Sequence, residues 1–284
     1  MSKVTQRYAR FDTAQRVEHG LLILSFTVLA VSGLPQKYAN AGWADWMIWL
    51  LGGIEMTRLI HHSAAVVLIL GSIYHLMSVG YRLLVLRVGL SMLPGWKDVV
   101  DAVQTLGYNF RLRRDPPRMG RYTFGEKVEY WAVIWGTVIM MLTGFMLWNP
   151  IAATHLLPGQ FIPAAKAAHG GEALLAVLSI VTWHFYNVHV KHFNKSMFSG
   201  WLSRHEMEEE HPLALAAGET AQKKTVDQAA LRRRRHIYLP VAFLLSLAFL
   251  VSVYFFVTFE TTAITTVPRQ TVEIYAPVTP TTTP

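Results

Sequence analysis

The 284-residue sequence contains no cysteine. That absence removes disulfides, thiolate-held iron–sulfur clusters, zinc–cysteine sites and thioether-attached c-type haem together. Charge is scarce as well: Asp, Glu, Lys and Arg make up 15% of the chain, where soluble domains carry about 25%. The shortfall is concentrated in uncharged stretches of about 20 residues, the length that crosses a bilayer core. Acidic residues are the rarer sign, 18 against 26 basic, for a net charge of +8. The basic residues flank apolar stretches and form no separate patch, so membrane lipid is the expected partner and nucleic acid is not. No cleavable signal peptide is expected, because no small-residue cleavage site follows the first apolar run.

What the chain does have is apolar length. Hydrophobic residues are 52% of it, and they group into five predicted spans: 16–34, 59–86, 127–148, 164–189 and 237–259. Pro35 and Pro150 are expected to stop the first and third, since proline cannot continue the hydrogen-bond ladder. Of the 26 Lys and Arg residues, 22 fall in the N-terminal segment, in 82–127 or in 190–236. The positive-inside rule then puts the N-terminus in the cytoplasm and, after five spans, the C-terminus outside. The tryptophan-bearing segment 42–49 reads as interfacial. The acidic and basic stretch 205–236 reads as a cytoplasmic linker, and the Thr/Pro-rich tail 260–284 as an extended extracytoplasmic segment. No internal repeat is evident.

Histidine is the side chain out of place. An ionisable group inside a membrane helix is costly and usually functional, and His19, His61, His62, His75, His169, His184 and His189 all lie in predicted spans. From His61 to His75 is a rotation of about −40° and a rise of about 21 Å; from His169 to His184 the figures are about +60° and about 22 Å. Each helix therefore shows two imidazoles on broadly one face at the two depths of the membrane. Two such helices in a bundle can clamp two stacked haems by bis-imidazole ligation. His61 with His169 is the outer pair. At the inner level His184 is the first choice, with His19 or His75 opposite, and His189 also competes. His62 is turned about 100° from His61 and is not expected on the same haem. His155, His192, His205, His211 and His236 read as solvated loop or interfacial residues. Isolated membrane histidines often make helix–helix hydrogen bonds; matched pairs at membrane-crossing spacing are harder to explain that way.

The expected fold is therefore all-α: an integral membrane four-helix haem-binding bundle with an additional C-terminal transmembrane helix. Residues 1–204 form the dihaem domain, 205–236 the linker and 237–259 the fifth helix. The competing class is a His-based proton-coupled or metal transporter, which an optical spectrum separates from a b-type cytochrome.

Particular motifs then become recognisable. Arg16-Val17-Glu18-His19 with Ser32-Gly33-Leu34-Pro35, and Arg58-Leu59-Ile60-His61, resemble the first two helices of the membrane cytochrome b (gamma) subunit of respiratory formate dehydrogenases. Arg121 to Lys127, Trp131, Thr143-Gly144 and Trp148-Asn149-Pro150 resemble the third helix and its preceding turn. Ala168-His169 and His184-Phe185-Tyr186 resemble the fourth, so that the likeness covers about 7–205. The resemblance implies haem b on His61 with His169 and on His19 with His184. It also implies a quinone (menaquinone or ubiquinone) site near the inner haem, formed partly by Thr123, Gly125 and Glu126. It further implies an extracytoplasmic iron–sulfur or multihaem cytochrome partner subunit in a bacterial inner membrane. The chain departs from the pattern at His75, which can replace His19, serve a third haem with His189 or sit beside the quinone. It departs again in the 15-residue step to His184 and in the fifth helix.

Overall fold

The computed structural model describes residues 6–191, 193–218 and 227–258. His192 and the tail 260–284 lie outside the described residues. A short strand β1 (Arg7–Ala9) leads into helix α1 (Thr13–Lys37), capped by Asp12 with Gln15 in a reciprocal capping box. Interfacial α2 (Gly42–Leu50) keeps Trp43, Trp46 and Trp49 exposed. α3 (Ile54–Gly80) runs on through a π-helical turn, Tyr81–Val85. α4 (Trp96–Asn109) precedes α5 (Phe124–Trp148), and α6 (Pro150–Leu156) precedes α7 (Phe161–Ser179). α7 continues through π-helical turns at Ile180–His184 and Tyr186–Lys191. α8 (Ser196–Ser199), strand β2 (Trp201–Ser203), α9 (Arg204–Glu210), α10 (Pro212–Ala216) and α11 (Gln228–Thr258) complete the described residues.

Among the described residues five helices are long and apolar enough to cross a membrane, namely α1, α3, α5, α7 and α11 with their π-helical extensions. Their large apolar side chains face outward, Leu21, Leu24, Val67, Leu142 and Leu175 among them. Apart from Pro35 and Val85, the buried positions in the spans are small or polar: Ser25, Ser32, Thr57, Ala64, Gly136 and Ala165. This is the arrangement lipid favours, because burying Leu against Leu gains nothing when the solvent is itself apolar. The fold is an all-α multi-pass membrane bundle.

Three expectations are corrected. Pro35 does not stop α1; it lies inside the last turn, and the helix ends when Tyr38 donates its N–H to the Leu34 carbonyl. α4 is an additional amphipathic helix in the segment before the third span. It is held to α5 by Lys127, whose Nζ meets both Asp98 oxygens at 2.8 and 2.9 Å. Burial works against ionised Asp98, but the Lys127 hydrogen bond and charge overcome it and hold this carboxyl below its ordinary value. Third, the segment 205–236 begins as folded structure. β2 pairs antiparallel with β1 in the register Tyr8↔Leu202, and Leu202, Met207 and Ala214 form a small buried cluster with Tyr8 and Leu215 packed on it.

An internal repeat, not evident from the sequence read in one pass, emerges once the helices are aligned. α1 and α5 each have 25 residues. Arg10 corresponds to Arg121, the cap Asp12 to the cap Thr123, Gln15 to Glu126, Glu18 to Glu129, and Ser32-Gly33 to Thr143-Gly144. The Arg10 guanidinium donates to the Arg121 carbonyl, and Arg121 Nη2 donates back to the Arg10 carbonyl at 3.3 Å. Such reciprocity is what a local two-fold axis produces.

Candidate functional site

Four histidines meet in two pairs across the bundle. At the outer level the His61 ring on α3 and the His169 ring on α7 have centroids 6.3 Å apart. At the inner level the His19 ring on α1 and the His184 ring on α7 are also 6.3 Å apart. Imidazole nitrogen ligates a metal at about 2.0–2.1 Å, and a ring centroid lies roughly 1 Å behind its nitrogen. An ion held between two imidazoles thus separates their centroids by about 6 Å, and the residues present fit a bis-imidazole iron at both levels.

The hydrogen bonds behind these rings select the ligating nitrogen. Ser32 donates its only hydroxyl proton to the Val28 carbonyl at 2.6 Å, so its oxygen accepts from His61 Nδ1–H at 3.0 Å. Thr143 repeats the device, donating to the Ile139 carbonyl at 2.6 Å and accepting from His169 Nδ1–H at 2.9 Å. A carboxylate does the same for His184, whose Nδ1–H donates to Glu129 at 2.7 Å. In all three the proton is held on Nδ1 and the lone pair is left on Nε2, which is how second-shell partners prepare a metal ligand. Gly33 and Gly144 follow the two hydroxyls, and a Cβ there would stand 2.9 Å from His61 Cε1 and 3.3 Å from His169 Cε1 respectively. The glycines let each ring lie against the neighbouring helix.

His75 has a different environment. Its Nδ1–H donates to Glu18 at 2.7 Å, as the repeat demands, but its Nε2 accepts from the Tyr130 hydroxyl at 3.0 Å. Tyr130 occupies on α5 the position that His19 occupies on α1. The two-fold therefore carries a His19–His184 gap on one side and a closed His75–Tyr130 hydrogen bond on the other. His189 lies between Phe185 and Phe193, and His62 stacks on Trp148 with centroids 3.8 Å apart.

The 15-residue step to His184 is absorbed locally. A π-helical turn takes in one residue more than an α turn, and one spans Ile180–His184. His184 therefore regains the face that a 14-residue step gives on α3.

At the cytoplasmic end Thr123 caps α5, its Oγ1 accepting from Glu126 N–H at 3.2 Å. Gly125 lies in that first turn. Glu126 accepts from Thr123 N–H at 2.8 Å and from Arg10 Nη2 at 2.7 Å. A cleft of about 260 Å³, lined by Arg16, His19, Gly20, Met197 and Phe198 among others, opens beside the inner pair. His155, His205 and His236 are exposed. His211 is not, being 1% exposed. The reading of it as a solvated residue fails because β2 and the Met207 cluster fold the surrounding segment onto the N-terminus.

The family model for prokaryotic cytochrome b561 matches residues 10–200. The chain belongs to that family. It is a membrane cytochrome b, a haem b electron-transfer protein of the bacterial inner membrane. Among curated relatives it is similar to the formate dehydrogenase cytochrome b556(fdo) subunit of Escherichia coli K12, 23% identical over 72% of this chain and 89% of the relative. The cytochrome b556(Fdn) subunit of the nitrate-inducible formate dehydrogenase of the same organism is 22% identical over 75% and 91%. The formate dehydrogenase cytochrome b556 subunit of Haemophilus influenzae is 21% identical over 72% and 81%. The matched residues 10–200 include His19, His61, His169 and His184.

Proposed function

We propose that this cytochrome carries electrons between a quinone pool at the cytoplasmic side and an extracytoplasmic partner subunit through two haems b. The outer haem is assigned to His61 and His169, the inner to His19 and His184. The observation that carries this reading is the equal spacing of two imidazole pairs at two membrane depths, with Nε2 of His61, His169 and His184 left free of a protein donor among the described residues. His75 is assigned to the hydrogen-bonded group with Glu18 and Tyr130, because its Nε2 already accepts a proton-bearing hydroxyl.

Bound haem supplies one-electron transfer at each level. The chain's own residues hold and orient it: Ser32, Thr143 and Glu129 fix three ring tautomers, and the lipid-facing apolar side chains keep water from the path. Quinone is assigned to the inner end, near the turn Thr123, Gly125 and Glu126 and the cleft at His19. The chain offers no cysteine for iron–sulfur centres. The relatives are named as formate dehydrogenase subunits, and this supports an iron–sulfur or multihaem partner of a formate dehydrogenase type complex.

The test is the haem-to-protein ratio of the purified chain, with a redox titration. Two haems per chain of b type, with different potentials, are expected; one or three would overturn the assignment.

A further inference from the structure

The segment after β2 folds over the cytoplasmic end of the bundle, burying His211 and half-burying Glu210 there. Ser203 caps α9, and α9 ends at Glu210; Pro212 opens α10, whose Leu213 N–H donates to the Met119 carbonyl at 3.1 Å. The cap is thereby tied to the chain just before α5. Between the two helices His211 is fully buried, and its Nδ1–H donates to the Gly120 carbonyl at 2.9 Å. A carbonyl can only accept, so the Nδ1 proton stays in place and Nε2 is the atom that gains and loses a proton. That Nε2 is buried without a hydrogen-bond partner among the described residues. Glu210 Oε2 stands 3.8 Å from it.

We propose that Glu210 and His211 share an exchangeable proton at the cytoplasmic face and exchange it, by way of Glu126 at the base of α5, with the quinone site. The inference rests on the quinone reading above. Reduction of one quinone to quinol takes two electrons, delivered through the haems, and two protons. The Glu210–His211 pair gives up one proton toward the site for each electron delivered and is reprotonated from the cytoplasm each time, two protons per quinone; quinol oxidation runs the same path in reverse.

The surroundings suit the role. Burial pushes Glu210 up to about 7, assisted by Glu126, Glu206 and Glu209 and opposed by Arg10. Burial and the Arg10 and Arg121 charges push His211 below its ordinary value, with Glu126 and the Gly120 carbonyl acting the other way. Asn194 Nδ2 donates to Glu210 at 3.4 Å. A group that titrates near the working pH is the efficient donor and acceptor. Arg10 bridges the cluster to the bundle, since it is 5% exposed and pairs with Glu126. Glu126 in turn lies one turn below Glu129 and Tyr130, which bond to His184 and His75.

The experiment uses the full haem-loaded protein in lipid nanodiscs, with Glu210→Gln, Glu210→Asp and His211→Gln variants. Haem reduction by a short-chain quinol is followed by stopped flow from about pH 6 to about pH 8, beside reduction by dithionite. E210Q and H211Q are expected to slow the quinol reaction by at least about tenfold near pH 7 and to flatten its pH profile. E210D, which keeps a titrating group, is expected to retain a pH-dependent rate, and dithionite is expected to reduce all variants alike. Parent rates with a parent profile in E210Q and H211Q overturn the inference and leave the quinone site intact. An equal loss at every pH, or the same loss in E210D, assigns the two residues to packing and overturns it too. A parent protein that dithionite reduces and quinol does not overturns the quinone reading first, and this inference with it.

Discussion

At the scale of single residues, the outer pair differs from the inner in what stands behind the imidazoles. Neutral hydroxyls of Ser32 and Thr143 back His61 and His169, whereas the Glu129 carboxylate backs His184. A carboxylate pushes more electron density onto its ring and stabilises the oxidised metal. Glu129→Gln is expected to raise the potential of the inner haem and leave the outer one unchanged, as read by a potentiometric titration with two resolved components. His61→Ala and His169→Ala should each leave the protein inserted with one haem instead of two. Because His62 adjoins His61, the double change at 61 and 62 is the control for rescue. His19→Met and His75→Met separate the two inner candidates: the ligand's replacement changes the axial field and raises the potential, and that change is expected only at His19. A spectrum altered by His75→Met alone would move the inner site to the other side of the two-fold.

At the scale of elements, two local features invite tests. If the π-helical turn at Ile180–His184 takes up the extra residue, deleting Val181 converts it to an ordinary turn and keeps His184 facing His19. Both haems should survive that deletion; loss of the inner one alone would show that the register is set elsewhere. The cap of α9 and α10 has a pH signature. The folded cap keeps the Glu210 proton up to about pH 7, while the released chain holds it only near the ordinary glutamate value of about 4.3. The folded form therefore binds more protons across that window, and cap stability falls as pH rises through it. His211, held below its ordinary value, acts the other way, so proteolysis within 204–217 is expected to quicken between about pH 5 and about pH 7 in the parent and to slow over the same range in Glu210→Gln, where only the His211 contribution remains. Met207, 2% exposed in the cap cluster, should cost about 2–3 kcal/mol of local stability when cut to Ala. The five spans were legible because apolar length alone specifies them. The cap was not: α9 is charged at five of its seven positions, and the cluster beneath it needs Tyr8 and Leu202, nearly 200 residues apart in sequence, to pair at the cytoplasmic end. The partners of the histidines were equally hidden, since Glu18, Glu129, Ser32 and Thr143 acquire meaning only across a helix interface. Alignment of Val17-Glu18 with Val128-Glu129, and of Ser32-Gly33 with Thr143-Gly144, was the signal in the chain that pointed to them.

At the scale of the whole molecule, α1 with α3 and α5 with α7 are two copies of one hairpin, joined by the segment around α4 and braced by α11. Tyr238 of α11 donates to the Met77 carbonyl at 2.6 Å, and Phe256 stacks on Phe145 at 4.6 Å, so the fifth helix spans both copies. Each hairpin contributes one imidazole to the outer pair and one to the inner pair. Neither half owns a complete binding site. On the proposed ligation haem supply is expected to govern assembly as well as function, the cofactor reinforcing the Arg10–Glu126 and His75–Tyr130 contacts between two halves to which lipid offers no hydrophobic drive. Two separately translated pieces, cut near residue 90, should find each other in the membrane when haem is abundant and drift apart when it is scarce.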